Sequence, residues 1–319
     1  MGEISLLVGH QFLSCMMPEK RTVKIGDPAP DVVFLTVDDR ELRLSDYRGK
    51  RVILFVWASW ELCREQLPAW QSFYLRHQGE PFELIAVAMD GQGPEIVRPF
   101  VEEAGVTFPV AVDSVDCLWD SYGFDHLPNG YYVDERGIIR YLKIGGFDIR
   151  ESLNAKIIED LITEKWSKKP LRFPERPKLN LKKEIAELSQ QLRTVTRGVE
   201  KRLRLAELLV KTGQYRRAAR EYDTVLAQQP RNARALFGRG VVFHREGKLP
   251  QTLLAWKKAF ASEPANWVIR KQIWALEFPD RFYPRIHREW QSEQIRREEI
   301  QLAEEEKAKL KPKVKAQKK

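Results

Sequence analysis

Cysteine is scarce in this chain. Cys15, Cys63 and Cys117 are its three cysteines, they lie far apart, and no Cys-x-x-Cys pair exists. That excludes a full disulfide framework, which needs an even set, and a zinc knuckle, which needs ligands paired at short spacing. No apolar run approaches the roughly 20 residues of a membrane-spanning helix. The stretch from Ile4 to Met17 is mildly apolar, but it follows Glu3, contains His10 and has no basic start. It is a poor export signal, and the expected location is the cytoplasm. Glycine-rich phosphate loops are lacking too, since Gly91-Gln-Gly93 and Gly145-Gly146 stand alone. With neither a nucleotide motif nor a metal-ligand spacing, no cofactor and no metal is expected. Acidic residues are missing from the C-terminal end. Lys307 to Lys319 holds seven Lys and no Asp or Glu, and so accounts for all but two of the nine net positive charges. The remainder is nearly neutral, so no specific nucleic-acid partner is expected. The tail reads as a solvated segment limited to non-specific contact with anionic surfaces.

What is present fits two domains. The chain has 319 residues, 43% hydrophobic and 31% charged, an ordinary balance for two packed cores of about 150 residues each. An N-terminal extension covers 1–21. Residues 22–168 alternate strand and helix. Val52 to Trp57 and Phe82 to Met89 are continuous apolar runs, as buried parallel strands are, and Phe108 to Val112 is a shorter one. Tyr131 to Asp134 and Gly137 to Leu142 read as a closing hairpin. Helices are expected over Cys63–His77, Pro94–Ala104, Asp116–Tyr122 and Glu151–Trp166. Pro170, Pro174 and Pro177 make 169–180 an extended linker.

Beyond the linker the pattern is helical over 181–296, with a charged helix and Lys-rich tail over 297–319. Gly213, Tyr215, Ala218, Tyr222, Val225 and Pro230 recur 34 residues later as Gly247, Leu249, Thr252, Trp256, Ala259 and Pro264. This period, with glycine between two helices and small and aromatic residues where they pack, resembles the tetratricopeptide repeat. The repeats span about 199–232 and 233–266. Helices at 181–195 and 285–305 are expected to cap the array, because two such units are too few to stand alone. The resemblance implies a concave surface for protein partners. Trp256, Trp267, Trp274, Phe282, Tyr283 and Trp290 are either anchors on it or core. Arg202, Arg204, Arg216, Arg217 and Arg220 are either a site for acidic peptides or a solvated face.

In the first domain, Gly26-Asp-Pro-Ala-Pro-Asp31, Leu44-Ser-Asp-Tyr-Arg-Gly-Lys50, Trp57-Ala-Ser-Trp60 and Cys63-Arg-Glu-Gln-Leu-Pro68 follow in order. This series resembles the redoxin group, meaning TlpA/ResA-like thiol–disulfide oxidoreductases and the AhpC/TSA proteins. The resemblance implies an α/β thioredoxin-like sandwich. It also implies a cis-proline opposite the active helix, which falls on Pro128. The chain departs from the group where the chemistry lies. The group follows Trp-Ala-Ser-Trp with Cys-x-x-Cys-Arg. Here Glu61-Leu62-Cys63-Arg64 stands instead, one residue shorter. Cys63 and Arg64 match the second, resolving cysteine and its arginine, and Glu61 falls where the attacking cysteine belongs. The peroxidase pattern, Pro-x-x-x-Thr/Ser-x-x-Cys, also fails, with Val56 and Trp60 at its first two positions.

Two functions therefore remain open. In one, Cys63 acts alone on a disulfide or peroxide. Its thiolate is favoured by the start of a helix and by Arg64, Pro128 orients the substrate, and an external thiol reduces the product. Around it, Glu61 either moves a proton or caps the turn. Trp60 lines the groove while Trp57 lies in the core. Cys117 either resolves an oxidised Cys63 or is incidental. In the other, the domain is a non-catalytic scaffold, and the repeats hold a partner.

Overall fold

The computed structural model describes residues 22–124, 126–163, 180–193, 198–298 and 300. Cys15, the linker up to 179 and the Lys-rich end lie outside the described residues. The elements of the first half are β1 (Val33–Thr36), β2 (Glu41–Arg43), β3 (Arg51–Trp57), α1 (Leu67–Arg76), β4 (Phe82–Ala88), α2 (Pro94–Glu103), β5 (Val110–Val112), α3 (Cys117–Tyr122), β6 (Asn129–Val133), β7 (Ile139–Lys143) and α4 (Ser152–Thr163). The sheet runs β2-β1-β5-β4-β3-β6-β7. β3, β4 and β5 are mutually parallel, and β1, β2, β6 and β7 complete the sheet by antiparallel pairing. All seven residues of β3 are buried, which is why its sequence is apolar without alternation. Phe55 of β3 packs against Trp70 of α1 at 5.2 Å between ring centroids, and Trp70 lies 5.5 Å from Phe147. This is the α/β thioredoxin-like fold that the redoxin resemblance implied.

Two details differ from the sequence reading. β1 and β2 are short, four and three residues, and carry too little pattern to stand out. The helix expected over Cys63–His77 begins instead as a 3-10 turn, Leu62–Gln66, and becomes α-helical only at Leu67. Pro68 explains this. It has no N–H to give to the Arg64 carbonyl, which is taken by the Leu67 N–H instead. Cys63 therefore lies in the tight turn ahead of the helix.

The helical region comprises α5 (Leu181–Gln191), α6 (Val199–Lys211), α7 (Tyr215–Gln228), α8 (Ala233–Arg245), α9 (Leu249–Ser262) and α10 (Trp267–Glu277). α6–α7 and α8–α9 are the two 34-residue units. Gly213 and Gly247 turn each pair with φ of 71° and 72°, a conformation that glycine adopts without a Cβ penalty. The equivalent rings Tyr222 and Trp256 are both buried, and each lies where a Cβ on Gly238 or Gly240 would intrude. Trp256 stacks on Phe237 at 5.0 Å and donates its Nε1–H to the Phe237 carbonyl at 3.1 Å.

The chain divides into two compact units between Ile273 and Trp274, within α10. In the second unit, Trp290 packs against Trp274, Phe278 and Phe282 at 5.9, 5.1 and 6.0 Å. Trp274 donates to Glu298 at 3.0 Å. Trp256, Trp274 and Phe282 are thus core rings.

Candidate functional site

Ligands of open α/β sheets gather beyond the C-terminal ends of the parallel strands. Here three loops leave that edge: Ala58–Glu61 after β3, Met89–Gly93 after β4 and Asp113–Asp116 after β5. Asp90 ties the first two together. It is 1% exposed and accepts the Ser59 N–H at 3.0 Å and the Ser59 hydroxyl at 2.5 Å. Burial raises its pKa to about 6, against the opposing pull of the two Ser59 hydrogen bonds and the Arg64 guanidinium. Sequence reasoning missed Asp90. The available signal was a carboxylate directly after an apolar strand.

Arg64 is buried. Its Nη1 donates to the Ser59 carbonyl at 2.6 Å, and its guanidinium lies 4.7 Å from the Phe100 ring. Its charge acts on Asp90, whereas the charges that act most on Cys63 are those of Glu61, Lys271 and Asp90. Trp60 is 2% exposed and donates its indole N–H to the Met89 carbonyl at 2.9 Å, so it pins the loop and does not line an open groove. Trp57 is fully buried in β3. Glu61 caps the 3-10 turn by accepting the Leu62 N–H at 3.0 Å. Pro128 follows a cis bond from Leu127, immediately before β6.

The expected lowering of the Cys63 pKa does not hold. Cys63 is 3% exposed, and burial, then the Glu61 carboxylate, push its thiol well up. A hydrogen bond from the Ala58 backbone and the Lys271 ammonium pull the other way without overcoming burial. Cys117 is 4% exposed at the start of α3, and burial and Glu207 push its thiol up as well. Its neighbours are Glu207, Lys211, Asp113 and Arg234, none of which surrounds Cys63. Both thiols are free and buried.

The helical region reaches this edge. Lys271 of α10 forms an ion pair with Glu61, with both side chains about one-sixth exposed (17% and 16%). Gln272 accepts the Gly91 N–H through Oε1. A Cβ on Gly91 would lie 2.9 Å from Phe237 and 3.0 Å from Trp256, and one on Gly93 would run into the Arg245 guanidinium. Trp267 faces His126, beside the cis-proline turn, with ring centroids 6.4 Å apart. Farther along, Arg234 pairs with Asp120, Lys211 donates to the Val33 carbonyl, and Glu184 accepts from Arg43 at 3.1 Å. The expected concave face is therefore not bare. α6, α8 and α10 each contact the chain's own α/β domain. No local sequence signal marks Lys271 or Gln272 for this role. Of the arginines, Arg202 pairs with Glu221 at 2.7 Å and Arg204 with Glu184 at 2.9 Å, while Arg216, Arg217 and Arg220 are exposed.

Comparison with known proteins agrees with this architecture. Residues 25–142 match the AhpC/TSA family, and residues 203–262 match a tetratricopeptide repeat. Thiol-disulfide oxidoreductase ResA of Geobacillus thermodenitrificans is 32% identical over 152 residues, which cover 46% of this chain and 87% of that protein. Sporulation thiol-disulfide oxidoreductase A of Bacillus subtilis is 32% identical over 123 residues, 37% of this chain and 74% of that protein. Among solved structures, a putative thiol:disulfide interchange protein DsbE from Chlorobium tepidum is similar at 26% identity, covering 44% of this chain and 99% of that one, with a TM-score of 0.40. The chain thus belongs to the AhpC/TSA family through its thioredoxin-fold half, with a tetratricopeptide region behind it.

Proposed function

We propose that this protein is a protein-binding scaffold on a thioredoxin fold and not a dithiol oxidoreductase. One observation carries the reading: the position of the attacking thiol is held by Glu61, and Glu61 is paired with Lys271 of the helical region. Dithiol exchange needs one exposed thiolate to attack and a second thiol to resolve. Cys63 alone, buried and with its thiol pushed up, supplies neither half at neutral pH. The relatives' names describe thiol–disulfide oxidoreductases, and that activity requires what this site lacks. The tetratricopeptide region supports protein binding as the function, through exposed helices such as α7, because α6, α8 and α10 meet the chain's own α/β domain. The test is reduction of insulin disulfides by dithiothreitol with the full chain added. The expected rate is that of dithiothreitol alone, for the wild type and for Cys63→Ser. A Cys63-dependent acceleration overturns the proposal.

A second reading has a specific observation in its favour. The Ala58 backbone hydrogen bond and the Lys271 ammonium both favour the thiolate of Cys63. In this reading the Cys63 thiolate attacks one sulfur of a substrate disulfide. The new bond joins Cys63 to that sulfur, the other sulfur leaves as a thiolate, and an external low-molecular-weight thiol reduces the mixed disulfide. Loss of the Cys63 thiol within seconds of adding a disulfide or peroxide to the native chain, absent in Cys63→Ser, supports it. A thiol that survives until the chain is unfolded removes it.

A further inference from the structure

We propose that α10 is an in-chain occupant of the cleft over Cys63, and that Cys63 meets solvent when α10 lifts from Glu61 and Gly91. The inference holds whether or not Cys63 turns over a substrate. The cleft has one wall from the loop after β3, bearing Glu61, and one from the loop after β4, bearing Gly91. The cis-proline turn with His126 borders it. α10 meets all three, with Trp267 and Lys271 one turn apart on one face and Gln272 next to Lys271 at the edge of that face. Each contact is the complement of what it meets: an ammonium on a carboxylate, an amide oxygen on a buried backbone N–H, and a ring beside a ring.

The same contacts show why the helix is a closure that can open. The Lys271–Glu61 pair is mostly buried, so desolvation offsets much of its Coulombic gain, and a neutral hydrogen bond contributes only about 1 kcal/mol net. Gln272 is 1% exposed, yet its Nε2 has no hydrogen-bond partner among the described residues. A buried donor left unmatched costs about 1–3 kcal/mol and offsets much of what the Gly91 contact contributes. These polar contacts by themselves do not lock the site. A partner presenting a cation to Glu61 and a carbonyl oxygen to the Gly91 N–H carries the chemistry to displace it.

The test is charge reversal, read by alkylation of the two thiols in the native full chain with iodoacetamide and peptide mass mapping. K271E sets like charges against each other at Glu61. Electrostatics alone would then slow Cys63, because an added carboxylate disfavours its thiolate. Opening of the cleft speeds it. The expected result is at least a tenfold rise in the Cys63 rate with the Cys117 rate unchanged. The swap E61K/K271E is expected to return Cys63 to its protected rate, and K258E, at an exposed position on α9, to change neither thiol. A Cys63 rate in K271E that is unchanged or lower, with wild-type circular dichroism, overturns the proposal. So does a joint rise of both thiols, because that marks loosening of the whole helical array and not release of α10.

Discussion

The two halves of this protein close their cores by different routes. In the α/β half, β3 pairs with β4 on one side and with β6, far along the chain, on the other, so its core exists only once distant segments have met. In the helical half the helices from α5 to α9 each pack on the next, and the Tyr222 and Trp256 rings fill equivalent positions in successive repeats. The sheet half leaves its loop edge to be covered, and the helical half supplies the cover. The loop edge at Glu61 and Gly91 is thus covered by the helical half, although Cys63 also packs into the core of the α/β half.

The strongest way to break that comparison is Trp256→Ala. Trp256 is fully buried, stacks on Phe237 and lies beside Gly91. Its truncation is expected to cost about 3–5 kcal/mol in urea unfolding. The helical half should melt first, with Cys63 becoming reactive while the sheet is still folded. A single transition for both halves would refute the division of labour.

Asp90→Asn gives a smaller effect with a defined pH signature. The Asp90 pKa is raised to about 6 in the fold, so the folded state holds its proton more tightly than the unfolded chain. That burden on stability is absent below the unfolded value near 4. It grows as pH rises from about 4 to about 6, to at most about 3 kcal/mol. Urea unfolding at steps from pH 4 to pH 7 should show the stability of the variant gaining on the wild type across that window and levelling above it. A constant difference would show that Asp90 is not the titrating group.

Gly93→Val is next. It combines φ of 95° with a Cβ aimed at Arg245, and about 1–3 kcal/mol is expected. Gly105→Ala, at φ of 61° with open space around it, keeps the backbone penalty without the clash and should cost about 1 kcal/mol. Equal losses in the two variants would mean that Arg245 does not press on the loop. Lys271→Met leaves the mostly buried Glu61 carboxylate without its cation, and about 1–3 kcal/mol is expected. A loss of several kcal/mol would show that the ion pair is a structural pillar.

Much of the fold was legible in the sequence because its elements carry their own patterns. β3 and β4 are unbroken apolar runs, the hairpin of β6 and β7 is marked at Gly137, and the repeats announce themselves by glycines 34 residues apart. β1 and β2 were not legible, since strands of four and three residues hold no periodicity. The site was only partly legible. Cys63, Arg64, Glu61 and Pro128 could be named from the order of motifs that the redoxin resemblance rests on. The direction of the Cys63 shift was not legible, because helix-terminus electrostatics favours the thiolate only where solvent or a charge is near enough to outweigh burial.

By itself, then, the sequence determined the α/β-then-helical order, the lack of a Cys-x-x-Cys pair and the repeat period, because each is a local pattern of residue types. Only the tertiary structure decided that Asp90 joins two loops through Ser59, that the Arg64 charge acts on Asp90, and that α10 meets the loops bearing Glu61 and Gly91. Those facts depend on which surfaces meet. The contacts of Lys271 with Glu61 and of Gln272 with Gly91 join residues with no shared period, motif or neighbourhood in the chain.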